Sequence, residues 1–188
     1  MKSSLLSAIR MTLVLLVLLC VIYPLIVAFA ARFSPGEGNG ETVTADGKVV
    51  GYALVGQSFT APQYFWGRPS AAGYNAAGSA GSNKGPTNPD YLQEVKNRID
   101  TLLKYHPGLK KADIPADMVT ASASGLDPDI SVEAARMQIS RIAKIRHLNS
   151  EQVASLVDQA TSGPLLGLLG PSTVNVLKLN ISLDELKK

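Results

Sequence analysis

The stretch Met11–Ala31, MTLVLLVLLCVIYPLIVAFAA, decides the architecture: 21 residues without a charge, bracketed by Arg10 and Arg32. As an α-helix it spans about 31 Å, matching a hydrocarbon core about 30 Å thick. Ala28-Phe29-Ala30 has the small-x-small form of a signal-peptide cleavage site. Signal h-regions run about 7 to 15 residues, shorter than the apolar run ahead of Ala28, so the segment reads as an uncleaved anchor. Cys20 is not placed for acylation, because Leu19 precedes it where a small residue is wanted and the apolar run continues past it. Pro24 removes a backbone donor in mid-span. The span is either a lone kinked anchor or a helix with other protein packed at the proline.

The chain's net charge of +3, from 18 basic and 15 acidic residues, belongs to the flanks of this span. Lys2, Arg10 and Arg32 are the only charges before Phe33, and the remainder balances at 15 of each sign. A balanced domain offers no basic footprint for nucleic acid, so no nucleic-acid partner is expected. Lys2 and Arg10 precede the span, whereas Arg32 is followed by Glu37, Glu41 and Asp46. The positive-inside rule then puts residues 1–10 in the cytoplasm, residues 11–31 in the inner (plasma) membrane and the rest outside. The single cysteine lies in the span, so no intrachain disulfide is possible.

Residues 32–41 read as a Gly, Pro and acid-rich linker, and residues 42–188 as one soluble domain. Asp46-Gly47 between Thr42–Ala45 and Lys48–Tyr52 predicts a tight hairpin whose second strand extends through Ala53–Phe59. Gly67–Pro89 is a long irregular loop preceded by Tyr64-Phe65-Trp66. Asn88 caps a helix opened by Pro89 and closed by Pro107-Gly108. Met118–Ser122 reads as a short buried strand. A second helix starts at Ser131, with Arg136, Arg141, Lys144 and Arg146 largely outside. Ser150 caps a third, closed by Gly163, and Thr173–Asn180 is a partly alternating strand. The sum is an α/β fold: one membrane helix, then a mixed domain with a small sheet and about three helices.

Chemistry is sparse. Gly78–Gly85 (GSAGSNKG) approximates a phosphate loop but has Asn83 for a defining glycine and Gly85 for the magnesium-binding hydroxyl. Ala77–Gly81 looks like a nucleophile elbow without its strand and helix, which leaves a secreted Ser hydrolase using Ser79 as a distant alternative. Such a triad needs a histidine, and only His106 and His147 exist, both at helix ends. No His/Cys cluster offers a transition-metal site, and Asp127-Pro128-Asp129 lacks the other ligands of a calcium loop. Ser122–Ser131 is either a ligand loop built on hydroxyls and amides or a connection ending in a helix cap.

Several runs together resemble one family: Tyr23-Pro24-Leu25, Gly47–Gly51, Gly56–Phe59, Tyr64–Ser70, Tyr74-Asn75, Gly78–Asn88, Val119–Pro128 and Val174–Leu177. The chain resembles the C chain of the Kdp-type potassium-transporting ATPase over essentially its whole length. Asp129 departs from a histidine common there. The resemblance implies an accessory, non-catalytic subunit of a high-affinity, ATP-driven potassium uptake complex. Its partners would be a potassium-channel-like A chain, a P-type ATPase B chain, a small F chain and membrane lipid. It implies no cofactor of the chain's own, ATP entering through the complex. Two roles follow from it: an assembly subunit capping the extracytoplasmic entrance of the A chain, or a catalytic chaperone raising the B chain's ATP affinity. The second would use Ser122, Ser124, Gly125, Leu126 and Asp127 as a nucleotide-binding loop. Tyr64, Phe65, Trp66, Arg68, Asn75, Asn83 and Asn88 are candidate subunit-interface residues, the clustered aromatics being typical anchors. Phe65 and Trp66 serve equally well as fillers of the domain's own core.

Overall fold

The computed structural model describes residues 2–186. Its first unit is one helix in three pieces: α1 (Lys2–Val17), a π-helical turn (Leu18–Ile22) and α2 (Tyr23–Ala31). The π turn is the answer to Pro24. The Tyr23 amide donates to the Leu18 carbonyl, five residues back, and the wider turn gives the proline ring room without breaking the helix. Ser4–Ala31 is long and apolar enough to cross a membrane, the one such helix among the described residues. Residues 2–10, ahead of the apolar run, thus continue its helix. Residues 32–41 are a chain of turns with Gly36, Gly38 and Gly40 at positive φ, and the chain divides into its two compact units between Thr42 and Val43.

The second unit is the mixed α/β domain the sequence predicts. β1 (Thr42–Ala45) and β2 (Lys48–Tyr52) form the expected hairpin, with Asp46 at φ 49° and Gly47 at φ 73°. β2 stops at Tyr52 rather than running on to Phe59. Ala53 turns inward to 1% exposure, and the Gly56 amide donates to the Leu126 carbonyl. The main sheet is antiparallel and small: β3 (Asp129–Ser131), β5 (Thr173–Asn175) and β4 (Thr161–Ser162), with β5 in the middle. Ile130 faces Val174 across the β3–β5 pair, and both are buried.

Four helices surround this sheet: α3 (Pro89–Tyr105), α4 (Val132–Arg146), α5 (Ser150–Ala160) and α6 (Val176–Glu185). Their starts are written locally. Asn88 Oδ1 accepts from the Asp90 and Tyr91 amides, and Ser131 Oγ accepts from the Ala134 amide. α5 is capped by Asn149 rather than Ser150, in a capping box with Gln152. α6 corrects the strand expected over Thr173–Asn180. Only Thr173–Asn175 pairs; Asn175 Oδ1 then caps the Lys178 amide at 3.0 Å, and Val176, Leu179, Asn180 and Leu183 form a helical stripe at i, i+3, i+4 and i+7. Met118–Ser122 is no strand either: a 3-10 turn (Ala116–Met118) bonds locally and leads into irregular chain, though Met118 and Val119 are buried as a strand's would be.

The core joins Phe65, Leu102, Ile130, Ile142, Val153, Val157, Val174, Leu179 and Leu183. Each such large side chain stabilises the fold by about 1.5–3 kcal/mol through burial. Arg141 and Arg146, expected outside, are buried at 4% and 6% exposure. The reason lies in the segment they hold.

Candidate functional site

The aromatic segment Ala61–Trp66 has no ladder partner, yet it is half-buried and at Phe65 fully buried, so its backbone polar groups need side-chain partners. Four helix residues supply them. Asn180 on α6 accepts from the Phe65 amide at 2.8 Å and donates to the Phe65 carbonyl at 3.0 Å. Gln138 on α4 accepts from the Trp66 amide at 2.8 Å and donates to the Trp66 carbonyl at 3.1 Å. Arg141 donates to the Pro62 carbonyl, and Arg146 Nε to the Gln63 carbonyl at 2.9 Å. The two amides act as a β-strand would, giving and taking a bond at successive residues.

The ring side chains are fixed by the same cations. The Arg141 guanidinium lies 4.4 Å from the Trp66 ring centre, with Tyr105 and His106 against the indole edge-on. Trp66 Nε1 donates to the Ala61 carbonyl at 3.0 Å. Burial lowers the Arg141 pKa to about 10, leaving it charged at neutral pH. Arg141 Nε donates to His106 Nε2 at 2.9 Å, and His106 Nδ1 donates to the Leu102 carbonyl at 2.8 Å, so this imidazole is held neutral. Burial is the main cause pushing its pKa down, with the Arg141 charge adding to it. Tyr64 lies under Arg146, 4.8 Å from ring centre to guanidinium, and its hydroxyl donates to Asp184, which also pairs with Arg146 at 2.7 Å.

Phe65, fully buried, is therefore a core residue and presents nothing to a partner, whereas Tyr64 and Trp66 keep partial exposure. Asn88 and Asn75 are helix and turn caps, Asn75 Oδ1 accepting from the Ala77 amide at 3.0 Å. Asn83 is exposed, at φ 52°.

The Ser122–Asp127 loop packs against the long Gly-rich segment, and the two share their polar groups. Ser122 Oγ accepts from the Gly125 amide at 3.0 Å, and Ser124 Oγ from the Leu126 amide at 3.1 Å. The Ser122 amide donates to the Pro69 carbonyl, Ser70 Oγ donates to the Gly125 carbonyl at 2.6 Å, and the Ala80 amide and Ser79 Oγ both donate to the Ser124 carbonyl. Arg68 pairs with Asp127 at 2.9 Å. Gly125 sits at φ 68°, and a Cβ there would stand 2.8 Å from Ala72 Cβ and from the Ala80 carbonyl oxygen. The Tyr74 hydroxyl donates to the Arg68 carbonyl at 2.6 Å; burial raises its pKa, the Asp127 charge adding and Arg68 opposing.

Beside this junction a cavity of about 480 Å³ is lined by Trp66, Arg68, Ser70, Tyr74, Arg98 and Tyr105 among others. Its two guanidiniums are already engaged, Arg98 with the Val119 carbonyl and Glu94, Arg68 with Asp127. Lys84, in the loop that approximates a phosphate-binding sequence, is paired with Glu94 at 2.6 Å. Ser79 has no base in His106, whose two nitrogens are both occupied. Among the described residues no group of three or more His, Cys, Asp or Glu is placed to hold a metal ion.

Gln138, Arg141, Arg146 and Asn180 escaped sequence reasoning. Their one signal is positional: Asn180 interrupts the apolar stripe of α6, and Gln138 and Arg141 lie one turn apart on the inner face of α4, with Ala134, Ala135 and Ile142.

A curated protein of Flavobacterium johnsoniae, named potassium-transporting ATPase KdpC subunit, is 56% identical over 98% of this chain and 99% of its own. One of Bacteroides fragilis with the same name is 57% identical over 98% of both chains. A third, from Caldanaerobacter subterraneus, is 47% identical over 96% of this chain and 94% of its own. Residues 5–185 match the family described as KdpC, K+-transporting ATPase, c chain, and the chain belongs to that family.

Proposed function

We propose that this chain is a non-catalytic accessory subunit of an ATP-driven potassium uptake complex, required for assembly, with its soluble domain outside the cytoplasm. It covers the extracytoplasmic entrance of the channel-like chain. The partners in this reading are that chain, the P-type ATPase chain and the small F chain, with lipid around the single span. The observation that carries it is the internal commitment of the Ser122–Asp127 loop. A loop that bound nucleotide would keep amides and hydroxyls for phosphate, whereas here the Ser122, Gly125 and Leu126 amides are taken and both serine oxygens accept from within the loop. The cations ahead of the apolar span support the same reading, since under the positive-inside rule the loop would lie across the bilayer from cytoplasmic ATP.

Two measurements test it. A C-terminal reporter active only in the cytoplasm stays silent; activity there overturns the orientation and restores the chaperone role with its ATP contact. Purification of the tagged full-length chain in mild detergent recovers the ATPase chains, and their absence refutes complex membership.

A further inference from the structure

The π-helical turn Leu18–Ile22 makes room for Pro24, but it leaves one backbone group of the apolar helix without a partner. A π turn ties each amide to the carbonyl five residues back. Tyr23 donates in this way to Leu18 and to no other carbonyl. The next amide in the series would serve Leu19, but that residue is Pro24, which has no N–H. The Leu19 carbonyl therefore has no amide in the α register, where Tyr23 is already committed, nor in the π register. Among the described residues no side chain donates to it, the Thr12 hydroxyl being bonded to the Ala8 carbonyl. Leu19 stands eight residues beyond Met11 and twelve before Ala31. At about 1.5 Å per residue this carbonyl lies about 12 Å and 18 Å from the two ends of the apolar run, deep in a hydrocarbon layer about 30 Å thick. A bare carbonyl is costly there. The side chains around it are exposed, Leu18, Leu19, Ile22 and Tyr23 at 47%, 56%, 45% and 62%, so a neighbouring helix can reach it.

We propose that the Leu19 carbonyl accepts a hydrogen bond from a hydroxyl or amide side chain on a membrane-spanning helix of another chain of the potassium-transporting ATPase complex, and that the proline turn presents it. The inference rests on the accessory-subunit reading. The missing bond selects the occupant. Lipid tails carry no donor, and water does not hydrate the backbone at this depth. A second copy brings only Cys20 and Tyr23 as side-chain donors between Leu13 and Ala31, a weakly donating thiol and a phenol set about 6 Å further along the helix. Contacts between the helices of membrane complexes, in contrast, carry Ser, Thr, Asn and Gln side chains that bond across the interface. Membership in a family of ATPase subunits puts such helices beside this one.

The experiment uses the tagged full-length chain, purified in mild detergent from cells that make the whole complex. Pro24→Ala returns an amide to the series and closes the Leu19 carbonyl within its own helix. Recovery of the ATPase chains then falls about fivefold, the effect of one bond between helices, while Trp66 fluorescence stays that of the folded domain. Tyr23→Ser and Tyr23→Ala separate the bond from the bend. Both keep Pro24 and lose the phenol, but only the serine hydroxyl reaches back four residues to the Leu19 carbonyl, so Tyr23→Ser recovers less of the ATPase chains than Tyr23→Ala. A photo-crosslinking residue at Leu19 gives a product whose peptides belong to another chain of the complex. Undiminished recovery with Pro24→Ala, equal recovery by the two Tyr23 variants, or crosslinks only to lipid or to a second copy, overturns the proposal while leaving the accessory-subunit reading intact. No ATPase chain with wild type refutes that reading and this inference with it. Altered Trp66 emission in Pro24→Ala also overturns the proposal, since the proline would then serve the folding of the chain.

Discussion

Replacing Asn180 by Leu tests whether side chains stand in for a missing strand. The shapes of the two side chains are close, so packing against Val176 and Leu183 is retained. What is lost is the bond accepted from the Phe65 amide at 2.8 Å and the one donated to its carbonyl at 3.0 Å. Phe65 is fully buried, so water cannot replace them. A buried polar group left without a partner costs about 1–3 kcal/mol, and two such groups bring the loss to about 2–6 kcal/mol. For a domain of this size that lowers Tm by roughly 5–15 °C. The assay is unfolding of the full-length chain in detergent, followed by the fluorescence of Trp66, the only tryptophan, which stands one residue from the broken bonds. Asn180→Asp separates polarity from shape. It keeps the acceptor but turns a carboxylate on the Phe65 carbonyl, so it loses as much at neutral pH and regains part of it as acid protonates the group and restores a donor. A loss below about 1 kcal/mol for Asn180→Leu refutes the strand-substitute reading.

Three further outcomes follow from the same geometry. The His106 pKa is depressed in the folded domain, so between its folded and its ordinary value the unfolded chain binds more protons. Stability then falls as pH drops through that window, with a slope of up to about 1.4 kcal/mol per pH unit, and the decline levels off below the folded value, where the His106 contribution is spent; urea midpoints from pH 7.5 to 5 show the decline, and His106→Gln flattens it. Gly125→Ala, at positive φ with contacts of 2.8 Å awaiting its Cβ, destabilises by roughly 2–4 kcal/mol in urea titration. Trp66→Ala uncovers Arg141 and opens a void, costing about 3–5 kcal/mol, so lost assembly in that variant reports unfolding, and Trp66→Phe is the cleaner probe of any contact the indole makes.

Features decided by neighbours in the chain were legible in the sequence: the long apolar N-terminal helix, the Asp46-Gly47 hairpin, the Asn88 and Ser131 caps, and the irregular course of Gly67–Pro89. The misreadings arose where distant residues decide. Arg141 and Arg146 look like surface cations because helical periodicity counts charge as polar; they are buried because they donate inward, to the carbonyls of Pro62 and Gln63. Thr173–Asn180 alternates enough to pass for a strand, but Asn175 caps a helix whose inner stripe includes the polar Asn180. Of the site, the sequence singled out the Ser122–Asp127 loop and the aromatic cluster, but not that the Gly125 and Leu126 amides are spent on the loop's own serines, nor that Phe65 lies wholly inside.

The bonds between Asn180 and Phe65 close a circuit of 115 residues, and Tyr64 is tied to Asp184 over 120. Contacts so far apart in the chain carry a large loop-closure entropy, which makes this a slow-closing topology. During synthesis the aromatic segment emerges early and waits, its polar groups unmatched, until the last helix has left the ribosome. The domain therefore has no complete core until its final turn exists. Chains stopped before α6 are expected to be degraded rather than merely shortened, because they lack the donors and acceptors that Asn180 supplies to Phe65.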